Sequence, residues 1–180
     1  MKIKTFTRML LELGIAGGTA LEIGLGYYGS THFLWRSLFD RVITIEKNHE
    51  RVRAFGSSTR KYYDKWVLGD SRSYFIIGLS CEPTVVSNVY GCCIEGKIDL
   101  LFIDGDHACG SVLTDWLLYQ GLVRPGGIIA LHDSLLAIPG YYGVPAFIDQ
   151  LKAGKIDGKP RQINNIEFSK SLGIAWYQQV

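Results

Sequence analysis

What the chain lacks narrows its function first. No apolar run reaches the length needed to cross a bilayer; the longest, such as Gly127 to Leu131, are the size of one strand. The N-terminal "MKIKTFTRMLLELG" places basic residues ahead of Met9, Leu10 and Leu11, but Glu12 interrupts this short patch, so it does not read as a secretory signal. A cytoplasmic protein with no membrane partner is expected. Charge runs are missing too: nineteen Lys and Arg against seventeen Asp and Glu leave a net charge of +2, scattered along the chain, which argues against a nucleic-acid partner. The four cysteines, Cys81, Cys92, Cys93 and Cys109, form neither a C-x-x-C pair nor a finger spacing. Reduced structural thiols are expected, with a metal knot among the first three as the weaker alternative. With no repeat, low-complexity tract or linker, residues 1–180 make one domain, too short for a cofactor domain plus a full substrate domain.

What is present is an alternation of strand-sized apolar runs with helix-length segments, the pattern of a parallel sheet flanked by helices. Strands are expected at Thr19–Gly24, Val42–Glu46, Trp66–Leu68, Asp99–Ile103 and Gly127–Leu131. Helices are expected at Ser30–Phe39, His49–Phe55, Ser71–Leu79, Ser111–Leu122 and near Val144–Ala153. The fourth carries Val112, Leu113, Trp116, Leu117 and Gln120 along one side, a core stripe. "RPGG" at Arg124–Gly127 reads as the turn between that helix and the fifth strand. Ser80 to Lys97 has no clear period and reads as a surface loop with a short helix. "RQINNIEFS" and "LGIAWYQQV" are separated so briefly that they must pair antiparallel.

In an open parallel sheet ligands sit beyond the carboxyl ends of the strands. Strand one leads into "GLGYYG", where Gly24, Gly26 and Gly29 leave backbone amides accessible and Ser30 with Thr31 opens a helix. Strand two ends in Glu46, able to accept from both hydroxyls of a ribose, or else a solvated charge opening a helix with Asn48. The third is expected to end in "LGDS", where Asp70 caps a helix or accepts from an adenine amino group. "LLFIDGDHACG" delivers Asp104, Asp106 and His107 within four residues of a buried strand, which suits a divalent cation or a general base better than a solvated turn. "GGIIALHDS" ends in His132 and Asp133, on the same edge as Asp104. A histidine in such a set weakens the case for Mg²⁺ and raises that for Mn²⁺, Fe²⁺ or Zn²⁺.

Taken together, "LEIGLGYYGST", "ITIEKN", "VLGDS", "IDLLFIDGDH" and "LVRPGGIIALHDS" resemble the motifs of class I S-adenosylmethionine-dependent methyltransferases, over roughly Thr19 to Leu151. "FIDGDH" followed by "RPGGIIALHD" is similar, more narrowly, to the small-molecule O-methyltransferase-like group that includes cephalosporin-hydroxylase-type and macrolide-sugar proteins. The resemblance implies an α/β, Rossmann-like doubly wound sheet of seven mostly parallel strands with an antiparallel C-terminal strand. It implies that Glu22, Gly24 and Gly26 hold the methionine end of S-adenosyl-L-methionine, Glu46 the ribose, and Asp70 with Ser71 the adenine side. In metal-assisted relatives the matching positions are Asp104, His132 and Asp133, taking Mg²⁺ or Mn²⁺; His132 departs from the acid usual there. Methyl transfer to a small hydroxylated acceptor is then expected, with Asp104 and His107 as the catalytic pair.

Three other functions fit parts of the pattern. Gly24, Gly26, Gly29 and Glu46 alone would suit an NAD-dependent dehydrogenase. Two histidines and a carboxylate would suit an iron hydroxylase, and a scaffold that has lost its chemistry would keep the fold. A short cap over residues 1–18 implies an open site, with Tyr27, Tyr28, Tyr141 and Tyr142 at its mouth. The exposed tyrosines and apolar tail leave room for a homodimer.

Overall fold

The computed structural model describes residues 2–26, 29–58, 71–93, 97–136, 143–168 and 171–180. Its elements run α1 (Lys2–Glu12), β1 (Thr19–Ile23), α2 (Ser30–Leu38), β2 (Arg41–Glu46), α3 (His49–Ser58), β3 (Ser73–Ile77), α4 (Pro83–Cys92), β4 (Ile98–Ile103), α5 (Cys109–Tyr119), a 3₁₀ turn (Gln120–Leu122), β5 (Val123–His132), α6 (Val144–Lys152), β6 (Asn164–Phe168) and β7 (Ser171–Gln178). One sheet takes all seven strands in the order β3-β2-β1-β4-β5-β7-β6. The first five run parallel, and β7 lies antiparallel between β5 and β6. This is the expected architecture, and the inserted antiparallel strand separates it from the 3-2-1-4-5-6 order of a dinucleotide-binding domain.

The central strands are apolar without alternation because both faces are covered. Leu21, Ile23, Ile43, Leu101, Ile103 and Ile129 join α4, α5 and α6 on one side. Ala20, Val42, Leu100, Phe102, Ile128 and Ala130 join α1 and α2 on the other. Phe6 of α1 meets Trp35 edge-on and Phe102 at a tilt, with ring centroids 6.0 and 6.1 Å apart. The N-terminal segment therefore serves as a layer of the core. The apolar tail is likewise internal: Ile174 and Ala175 of β7 are fully buried.

Several expected boundaries move. The segment expected as a helix at Ser71–Leu79 is instead strand β3, pairing Val42 with Ser73 through Glu46 with Ile77; Tyr74, Phe75, Ile76 and Ile77 are strand formers. The expected strand at Trp66–Leu68 lies outside the described residues, as do Asp70 and Tyr27, Tyr28, Tyr141 and Tyr142. The short helix expected within Ser80–Lys97 is α4, and it is no surface element: Val85 and Val89 reach the core one turn apart. "RPGG" lies within β5 as a bulge, its four residues between Val123 and Ile128 opposing the single Asp99 between Ile98 and Leu100 on β4. On α5 the buried stripe is Val112, Asp115, Trp116 and Tyr119, and Leu117 is exposed.

Trp116 ties α5 to the antiparallel strand, its Nε1–H donating to the Tyr177 hydroxyl at 2.7 Å in the buried core. Tyr177→Phe leaves that donor without its partner, at a cost of about 1–3 kcal/mol. Thermal denaturation is expected to show a lowered Tm; an unchanged Tm would show that the bond contributes nothing.

Candidate functional site

The strand order reverses between β1 and β4, and the expected site residues gather where these strands end. Beyond Ile23 the chain turns through Gly24 with φ 94°. A Cβ there would overlap the Asp104 carbonyl, so the β1 and β4 exits pack backbone to backbone. Their register is fixed by the Asp104 amide donating to the Ile23 carbonyl, and that of β1 on β2 by the Gly24 amide donating to Ile45, both at 2.9 Å. Gly26 follows at φ 66°, with open space around its missing side chain. Gly29, also left-handed, precedes α2, which begins at Ser30 as expected. The glycines thus leave a cradle beside a helix N-terminus that side chains would fill.

Two buried acids hold this cradle from beneath. Glu46 is 3 % exposed. One of its oxygens accepts from the Leu25 amide at 3.0 Å and the other from the Asn48 amide at 2.9 Å. It is therefore no solvated charge, and it links the β2 exit to the glycine loop. Glu22, fully buried, accepts from Thr44 Oγ1 at 2.8 Å and from Trp35 Nε1 at 3.2 Å, and Thr31 also bonds to it. His32 Nδ1 lies 2.8 Å from the Thr44 hydroxyl and its Nε2 3.1 Å from Ser73 Oγ. Burial, with Arg36 nearby, lowers His32 to about 3, so the ring is neutral. Burial pushes Glu22 up to about 8, against the Thr31 and Thr44 hydrogen bonds and with the Asp104 charge adding to the rise. Glu22 and Thr31 thus support the loop from inside the protein.

The catalytic and metal candidates converge. His107 Nε2 stands 3.3 Å from Asp104 Oδ1 and 3.5 Å from Asp133 Oδ2. His132 Nδ1 stands 3.0 Å from Asp104 Oδ1 and 2.8 Å from Asp133 Oδ1. Burial opposes charge on both His132 and Asp104. Even so, Asp104 and Asp133 hold His132 up at about 9, and the two histidines hold Asp104 below its usual range. Ligating atoms of Asp104, His107 and His132 lie within 4.8 Å of one another, the only such His/Cys/Asp/Glu group among the described residues; no cysteine joins it. Buried His132 Nδ1 and Asp133 Oδ1 approach closely without hydrogen-bond alignment, a donor set that fits a cation. Asp106 stays outside the cluster. Its carboxylate stands just ahead of α5, accepting from Ser111 Oγ at 2.7 Å and the Ala108 amide at 3.3 Å.

Ser71 is not brought to the site. It precedes β3, at the amino edge of the sheet, whereas the residues leaving the carboxyl end of β3 are Gly78, Leu79 and Ser80. There the sequence reading missed a polar group. Ser80 Oγ donates to Asp115 at 2.5 Å, and the Tyr119 hydroxyl donates to the Ser80 carbonyl. Asp115 is 3 % exposed, and burial raises it to about 6. The i, i+4 spacing of Asp115 and Tyr119 beside Val112 and Trp116 was the available signal.

Fold and strand-end chemistry define a Rossmann-like α/β protein built to hold a small cofactor beside a carboxylate–imidazole cluster. The chain belongs to the methyltransferase-domain family, whose model matches residues 11–134. A search of curated proteins finds no match. Among solved structures the chain is similar to an O-methyltransferase from Bacillus cereus in complex with SAH, at 20 % identity and TM-score 0.65, covering 97 % of this chain and 79 % of that one. It is similar to the MycE methyltransferase of the mycinamycin pathway in complex with Mg and SAH, at 18 % identity and TM-score 0.60, covering 96 % of this chain and 48 % of that one. An rRNA methylase from Streptococcus thermophilus shares the fold at 9 % identity and TM-score 0.64, covering 100 % and 97 %.

The raised Glu22 carboxyl makes a sign-specific prediction. A carboxyl whose folded pKa lies above its unfolded value binds more protons in the folded state, so its contribution to stability falls as pH rises from about 4.5 to about 8. Glu22→Gln removes this slope, and its stability relative to the natural protein is expected to rise across that window, by on the order of 5 kcal/mol. Urea denaturation at a series of pH values checks it; parallel curves would contradict a raised Glu22.

Proposed function

We propose that this protein is an S-adenosylmethionine-dependent methyltransferase that methylates an oxygen of a small hydroxylated molecule with help from a divalent ion. The observation that carries the proposal is the convergence of Asp104, His107, His132 and Asp133 beside the Gly24–Gly26 cradle. When bound, the cofactor would supply an activated methyl group, and an ion, which Asp104, His132 and Asp133 would hold, would supply a Lewis acid that eases loss of a hydroxyl proton. The chain supplies alignment and proton handling. The glycine loop seats the amino-acid end of the cofactor. Glu46, whose oxygens already hold Leu25 and Asn48, retains lone pairs for ribose hydroxyls. The His107 imidazole, 3.3 Å from Asp104 Oδ1, would take the acceptor's hydroxyl proton.

A small acceptor is favoured over RNA because the cluster presents carboxylates and imidazoles, and the basic residues nowhere gather into a run. The grouping of Asp104, His107 and His132 also suits an iron oxygenase. Family membership favours methyl transfer, and iron-dependent oxygen consumption without cofactor demethylation would reverse that preference.

Calorimetry with S-adenosylmethionine, S-adenosylhomocysteine and NAD, followed by transfer of labelled methyl to hydroxylated small molecules and to rRNA with Mg²⁺ or Mn²⁺ present, tests the function. Binding of the first two ligands but not NAD is expected. Asp104→Ala should lower turnover about 100-fold or more while changing S-adenosylhomocysteine affinity no more than about threefold. Unchanged turnover would remove Asp104 from the mechanism, and labelling of rRNA alone would overturn the small-molecule acceptor.

A further inference from the structure

Resting on the S-adenosylmethionine reading above, we propose that Asp115 is a positioning residue for the cofactor: through Ser80 and Gly105 it clamps the β3 exit to the β1–β4 exits, and so sets how tightly the nucleoside end is held.

Asp115 stands on the core stripe of α5 with Val112, Trp116 and Tyr119, and it is 3 % exposed. Enclosing a carboxyl there is costly, and an apolar residue at the same position would add to the core instead. Its two oxygens face two different strand exits. Oδ1 accepts from Ser80 Oγ at 2.5 Å. Oδ2 lies beneath the β4 exit, 3.7 Å from the place a Cβ on Gly105 would take. Gly105 in turn is pressed against the cradle, its Cα 3.1 Å from where a Cβ on Gly24 would stand. Gly24, Gly105 and Asp115 therefore stack in that order, from the glycine loop down to α5.

Ser80 is held at both ends by one helix. Its hydroxyl donates to Asp115, and its carbonyl accepts from the hydroxyl of Tyr119, one turn further along α5. Two residues earlier, the Gly78 amide donates to the Glu46 carbonyl at 3.1 Å. The segment Gly78–Ser80 is thus fastened on one side to the acid proposed for the ribose and on the other to α5. Ser80 itself is half-buried, so this fastened segment reaches the open edge of the sheet. Without the Asp115 bond, the β3 wall of the cofactor seat loses its tie to the cradle.

The test is calorimetric titration with S-adenosylhomocysteine and with methylthioadenosine, which lacks the amino-acid end. The natural protein is compared with Asp115→Ala, Asp115→Asn, Ser80→Ala and the double alanine variant, and thermal denaturation checks that each is folded. Asp115→Ala is expected to weaken both ligands about tenfold or more and by the same factor, because the loss lies at the nucleoside end. Ser80→Ala should show a comparable loss, and the double variant no more than about threefold beyond either, since the two residues act as one pair. Asp115→Asn, whose amide oxygen still accepts from Ser80, should return both affinities to within about threefold of the natural protein. If Asp115→Ala does not fold, Ser80→Ala and Asp115→Asn carry the same test. Unchanged affinity in a folded Asp115→Ala or Ser80→Ala, additive losses in the double variant, or a loss in Asp115→Asn matching that of the alanine variants would each overturn the proposal. If the natural protein binds neither ligand, the cofactor reading falls and the role of Asp115 with it. If the alanine variants bind as the natural protein does, the cofactor reading stands and Asp115 alone is removed.

Discussion

The backbone contact between Gly24 and Asp104 is the constraint on which the rest depends. At the point where the sheet changes direction, β1 and β4 leave side by side, and no Cβ fits between Gly24 and the Asp104 carbonyl. That contact sets the glycine loop directly beside the carboxylate–imidazole cluster. A cofactor seated on one would lie next to the carboxylate–imidazole cluster on the other, the alignment that the proposed methyl transfer chiefly requires. The amide of Gly24 on Ile45 and the amide of Asp104 on Ile23 lock three strand exits in common register.

Buried charge divides by task around this contact. Glu22 is enclosed by Trp35, Thr44 and Thr31, beneath the loop, with the neutral His32 ring bridging Thr44 and Ser73. A network with this many partners fixes the entry angle of α2, and a structural role explains why the carboxyl can be sealed from water at all. Asp115 does the same for the β3 exit through Ser80. Asp104, His107 and His132 keep 20–23 % of their side-chain surface open, so solvent and ligand can reach them.

The parallel core was legible because two-sided burial writes itself as unbroken apolar runs, as in Leu100 to Ile103, and because each run is followed by a group with chemistry. Glu46, Asp104, His107, His132 and Asp133 could be named on that logic alone. The edge was harder. Tyr74 to Ile77 form an apolar run as unbroken as those of the central strands, but placing the third strand at "WVL" left that run to a helix, carried Ser71 to the wrong end of the sheet and hid Ser80. "RPGG" read as a turn because proline and glycine commonly make one; here they form a bulge inside β5. Asp115 escaped notice because, although its helical spacing placed it on the buried face of α5, its partner Ser80 is 35 residues away in sequence.

The most direct measurement is a crystal structure of the protein with S-adenosylhomocysteine and Mn²⁺ bound. The ligand is expected over Gly24 and Gly26 with its ribose at Glu46, and the ion on Asp104, His132 and Asp133. A ligand lodged anywhere but the β1–β4 exit, or an ion bound away from those three side chains, would contradict the link between this fold's glycine cradle and its carboxylate–imidazole cluster.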